Sequence, residues 1–144
     1  MTGSGANVKF ARIVFLLAGI YGLLSLTPLY FLFHYIGRQD PPPITHPHFY
    51  YGFVGVALAF QFVFLLIAID PARFRPLILI SVFEKLSYMI PCAALYLSGR
   101  IPGSDAATAL PDTLLCALFI ISWLKVRVGE KQRMPWPPVN VRIP

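Results

Sequence analysis

Four apolar stretches, at residues 10–36, 49–69, 76–97 and 108–126, constrain this 144-residue chain more than any other feature. Each has roughly the 17–25 residues or more that a helix needs to cross hydrocarbon. Without water, backbone amides must be satisfied within the protein, and a helix does this inside its own segment. The period-two alternation that a membrane barrel requires is missing. Charge is correspondingly scarce. Charged residues make up 12% of the chain, against roughly 25% in soluble domains. The expectation is an all-α, integral membrane four-helix bundle. It forms one domain over residues 1–144, with antiparallel up-down helices and an extended tail at 129–144.

The first stretch follows Lys9 and Arg12, as the core of a signal peptide would. Its apolar run is too long for that, and no small-x-small cleavage pattern follows, so it is expected to stay as a helix. Basic residues orient the bundle. Lys9, Arg12, Arg73, Arg75, Lys125, Arg127, Lys131, Arg133 and Arg142 fall on one side, and Arg38 and Arg100 on the other. The positive-inside rule then places both termini in the cytoplasm. The net charge of +6 is mostly this asymmetry. A basic face beside anionic lipid accounts for it without a nucleic-acid partner. Short loops such as IDPARFRP (residues 69–76) imply helix hairpins.

Within PLILISVFEKLSYMIPCAALYL (76–97), Glu84 and Lys85 are the only charges. A charge near the bilayer centre costs roughly 2.5–3.5 kcal/mol on insertion scales, so it is kept only if paired, solvated or used. At a rise of about 1.5 Å per residue, Glu84 lies roughly 12 Å from the cytoplasmic end of its helix, and Gln61 of the preceding span lies at a similar depth. Tyr21 falls near that level on the first span, and Leu118 on the last. Ser81, Glu84, Tyr88 and Pro91 share one helical face. Glu84, Lys85, Gln61, Tyr88 and Tyr21 are therefore the candidate polar layer, able to hold a ligand or a proton. The plainer alternative is polar packing between helices, with Lys85 reaching toward the cytoplasmic headgroups. Pro28 and Pro91 should each kink a helix and free a carbonyl.

His34, His46, His48 and Asp112 form a second polar group, at the outer mouth. H-P-H is no recognised ligand spacing, and Asp40 is the one carboxylate near the histidines, so no metal is expected there. Asp112 follows Pro111 in a first helical turn, where a carboxylate complements the helix dipole. Asp70 is expected to cap the inner turn, and Arg73 and Arg75 to meet lipid headgroups. Trp136 in the tail suits an interfacial anchor. Gly19, Gly22, Gly52 and Gly55 permit close helix contact, within the bundle or between copies. Cys92 and Cys116 read as small buried side chains, because no CxxC pair is present.

No metalloprotease, hydrolase, nucleotide-binding or haem-attachment motif occurs. The sequence thus names no catalytic residue, cofactor or metal. In length, helix count and hairpin layout the chain resembles the DoxX-like group of bacterial four-helix membrane proteins. That resemblance implies a small inner-membrane protein, often an accessory to redox or stress machinery, and carries over no functional residue. The leading expectation is a non-enzymatic accessory or complex subunit, packed against a partner or itself, that binds a lipid or quinone-like ligand near Glu84. The alternatives are a proton-coupled transporter or small channel, and a membrane enzyme acting on a lipid-soluble substrate.

Overall fold

The structure, a computed structural model, describes residues 3–39 and 43–126. Asp40, Arg127, Lys131, Arg133, Trp136, Arg142 and the tail at 129–144 lie outside them. The described residues are helical and contain no strand: α1 (Gly3–Leu26), α2 (Leu29–Gln39), α3 (Pro47–Ile69), α4 (Arg75–Leu97), α5 (Gly103–Ala106) and α6 (Leu110–Lys125). A 3-10 turn, Ala107–Ala109, joins the last two. Four helical segments, Gly5–Leu26, Pro47–Ile69, Arg75–Leu97 and Gly103–Lys125, are long and apolar enough to cross a membrane.

Prolines set these boundaries, and at two places they do more than the sequence reading allowed. The expected single helix over 10–36 is two helices. Pro28 has no amide to donate to Leu24. The last bond of α1 is Thr27 N–H to the Leu23 carbonyl, at 3.1 Å. The chain restarts with Tyr30 donating to Thr27 (3.3 Å) and Phe31 to Pro28 (2.9 Å). The Tyr50 hydroxyl of α3 then donates to the Leu29 carbonyl at 2.8 Å and pins the break in place. The last span differs similarly from the expected 108–126. Pro111 lies in the first turn of α6, where its missing donor costs nothing, and α5 with the 3-10 turn precedes it. By contrast Pro91 leaves α4 unbroken.

α1 packs along α3 and α6, and α4 along α6, whereas α3 and α4 touch only sparsely. Glycines bring α1 and α3 close. A Cβ at Gly19 would stand 2.7 Å from Leu65 Cδ2 and 3.1 Å from the Gln61 carbonyl, and one at Gly22 would collide with the Gln61 side chain. From the first half of α1, Arg12 donates to the Ala68 carbonyl (3.1 Å) and the Ile69 carbonyl (3.0 Å). This places a cation on the unpaired carbonyls that end α3.

The core is aromatic. Phe15 stacks on Phe119 with ring centroids 4.2 Å apart. Phe64 meets them edge-on at 6.0 and 5.0 Å. All three rings are fully buried. Leu17, Leu24, Phe31, Phe62, Phe83 and Leu97 are each more than half exposed. Such an apolar exterior suits acyl chains, which make it no liability.

Because α1 and α3 meet through hydrogen atoms at Gly22, Gly22→Leu should overpack the seam and cost about 1–3 kcal/mol. Gly52 has open space around it, so Gly52→Ala should stay within about 0.5 kcal/mol. Thermal unfolding in mild detergent checks both, and equal effects would contradict the tight seam.

Candidate functional site

α4 supplies the charges. Residues 84 and 85 are neighbours in sequence, so they leave the helix about 100° apart. Lys85 turns inward, with a side chain only 7% exposed, while Glu84 lies nearer the edge at 17%. Ser81, one turn from Lys85, is buried and donates to the Leu77 carbonyl at 2.9 Å. The Lys85 ammonium does not turn back along α4 toward the basic face. It reaches Asp112 in the first turn of α6, with Nζ 2.8 Å from Oδ1. The same Nζ lies 3.2 Å from Glu84 Oε2 and 3.4 Å from Oε1. The Phe64 ring sits beneath it, with the centroid at 5.3 Å. Asp112, at the N-terminus of α6, also gains from the helix dipole.

These contacts rank the two carboxylates. Asp112 has the short, direct ion pair. Glu84 has the longer contact, and its buried Oε2 has no donor at hydrogen-bonding geometry. A buried charged oxygen without a well-placed donor is expensive, so Glu84 is the incomplete member of the group.

The group lines a cavity of about 450 Å³ among α1, α3, α4 and α6. Tyr21, Gln61, Glu84, Lys85, Tyr88 and Asp112 all contribute to its wall, with Gly22, Ser25, Phe53 and Leu115 among the others. Gln61 is 2% exposed and donates to the Ala57 carbonyl at 2.8 Å. The Thr108 hydroxyl gives its proton to the Asp105 carbonyl (2.6 Å), so Tyr88 donates to Thr108 at 2.8 Å and ties α4 to the start of the last span. Tyr21 is half exposed, with one side on the cavity and the other on the protein's outer surface.

No protein-family model, curated protein or solved structure matches the chain. The likeness of layout to the DoxX-like group therefore has no sequence or structural match behind it.

Two grooves adjoin the cavity, the first of them apolar throughout. One, of about 570 Å³ between α1 and α6, is lined by Ile13, Leu17, Leu114, Leu118 and their neighbours and shares Tyr21, Pro111 and Leu115 with the cavity. The other, of about 330 Å³ between the sparsely touching α3 and α4, shares Phe53, Ala57, Glu84 and Tyr88. On the opposite side the space ends at the aromatic core. Phe64 and Phe119 each lie about one turn beyond the cavity-lining Gln61 and Leu115.

The other candidates lie apart from this cluster. His46 and His48 face each other at the start of α3, with ring centroids 5.9 Å apart, and Thr45 Oγ1 is 2.8 Å from His46 Nδ1. His34, on α2, packs edge-on against Phe33, and its carbonyl accepts from Arg38 at 3.2 Å. None of the three histidines lines the cavity, so Asp112 is separated from the outer-mouth group in which its sequence position placed it. Among the described residues, no three His, Cys, Asp or Glu side chains cluster as a metal would require. At the other end Asp70 accepts the Arg73 amide at 3.1 Å and caps the turn. Arg73 lies over Phe74, while Arg75 stacks on Trp123 at 4.3 Å and donates to its carbonyl at 3.2 Å.

The Lys85–Asp112 bridge is the interaction that sequence reasoning missed. Counted from the basic end, Asp112 lies about five residues, or roughly 7 Å, beyond Lys85. A lysine stem spans that gap, so an acid one turn or more away on a neighbouring helix was the available signal.

Lys85→Met should strand two partly buried carboxylates and cost about 2–3 kcal/mol, less than a fully buried pair would. Adding Asp112→Asn to that variant should recover part of the loss. A double-mutant cycle on thermal stability measures this coupling, and strict additivity would mean the bridge has no energetic role.

Proposed function

We propose that the chain is a small multi-pass inner-membrane protein that binds a lipid or quinone-like amphiphile, without catalysis, as an accessory or complex subunit. The observation that carries this reading is the junction of a charged cavity with a wholly apolar groove at Tyr21, Pro111 and Leu115. A polar head held near Lys85, Glu84 and Gln61 would leave its tail along Leu114 and Leu118. Pockets for such molecules are mostly apolar with a few convergent polar groups.

The order of contacts supports an up-down arrangement of the spans. Arg12 in the first half of α1 meets the last residues of α3, and Gly22 farther along meets Gln61. Lys85 meets Asp112, while Arg75, earlier in α4, meets Trp123, later in α6. Basic residues in the first half of α1 (Lys9, Arg12), around the turn between α3 and α4 (Arg73, Arg75) and at the end of α6 (Lys125) support cytoplasmic termini. The exposed small residues of α3, Gly52 among them, support packing against a second copy or a partner.

Native mass spectrometry of protein released from mild detergent should show a bound amphiphile. Leu114 is exposed on the groove and absent from the cavity wall. Leu114→Trp should therefore block the tail and weaken binding about tenfold, equivalent to roughly 1.4 kcal/mol. Glu84→Gln should weaken it from the head side. Binding indifferent to both substitutions would overturn the reading. Reporter fusions at the two ends should both report the cytoplasm.

A further inference from the structure

We infer that the cavity is a site for one exchangeable positive charge, taken either by the head group of a cationic amphiphile or by a proton on Glu84. This rests on the amphiphile-binding reading above and adds the charge of the head group.

The inference comes from a charge count and an allocation. Among the residues lining the cavity there are two carboxylates, Glu84 and Asp112, and a single cation, Lys85. No arginine or histidine lines it. Fully ionised, the group carries one negative charge that nothing in the wall balances. In a low-dielectric surrounding such a charge must be neutralised by a counter-ion or a proton. Lys85 is committed to Asp112 at 2.8 Å, and the α6 dipole favours that carboxylate further. The imbalance therefore falls on Glu84, whose Oε2 is the buried carboxylate oxygen without a well-placed donor.

The groups facing Glu84 agree. On α4 they are Lys85 and Tyr88, on α6 Asp112 and the neighbouring Cys116, on α3 Gln61 and on α1 Tyr21. The amide of Gln61 spends a donor on the Ala57 carbonyl, and the Tyr88 hydroxyl spends its proton on Thr108. Beside the uncompensated carboxylate the wall offers aromatic faces, those of Tyr21, Phe53 and Tyr88, and a cation gains from both where an anion would be repelled by the net negative charge. Access is lateral. Glu84 lines the groove between α3 and α4 as well as the cavity, so a molecule dissolved in the bilayer reaches it without crossing the aromatic core.

The test uses the full chain in phosphatidylcholine nanodiscs and three probes with one tail: myristyltrimethylammonium, myristyl alcohol and myristate. Titration calorimetry, referenced to empty nanodiscs, should show the cation bound at least about tenfold more tightly than either other probe. Repeating it in buffers of different ionisation enthalpy should show about one proton released per cation over the pH range in which Glu84 is protonated without ligand. Affinity should then rise up to about tenfold per pH unit in that range. Glu84→Gln should abolish both the preference and the proton release. Should that variant fail to fold, Asp112→Asn, which also removes one negative charge, should do the same. Alcohol or myristate binding as tightly as the cation would overturn the charge assignment and leave amphiphile binding intact. Cation binding without proton release would overturn the exchange. Binding by none of the three would remove the amphiphile reading and this inference with it.

Discussion

A buried ammonium shared between two carboxylates holds the cavity end of this bundle together. Lys85 cannot face acyl chains as a lone charge, so its position demands an acid on a neighbouring helix. Asp112 meets that demand at 2.8 Å. The bridge fixes the register of α4 against α6, and Tyr88 with Thr108 reinforces it one turn away. On the opposite wall, Gln61 occupies the space that Gly22 leaves empty. The Lys85–Asp112 and Tyr88–Thr108 contacts thus depend on another segment being at a set height. This is a stricter condition than apolar packing imposes in a solvent as apolar as the packed side chains themselves.

Much of the frame was legible in the residues. Span number follows from apolar run length, and four helices of sufficient length and apolarity are present. The common depth of Gln61, Glu84 and Tyr21 came from counting residues along helices, and all three line one cavity. Counting works there because helical rise is constant. It fails where rise is interrupted. Pro28 separates α1 from α2 outright, since Tyr50 stabilises a break where the sequence suggested a bend. Pro91 is absorbed within α4, because a proline alone does not determine whether neighbours will hold a helix open.

Asp112 shows a different limit. Its place in a first helical turn explained it locally, and a sufficient local explanation hid a long-range one. Which neighbour a long side chain chooses depends on the spacing of helices that are remote in sequence. Lys85 had a basic face on one side and an acid on the other, and only the packed bundle decides between them. The clasp of Arg12 on the end of α3 was hidden for the same reason.

The trio of Phe15, Phe64 and Phe119 gives the cavity a floor. Three rings from three helices, in mutual contact and fully buried, leave no gap for an ion or a water chain to pass. The space above opens sideways instead, between α1 and α6 and between α3 and α4, so its two doors face the surrounding hydrocarbon and neither leads through the plug.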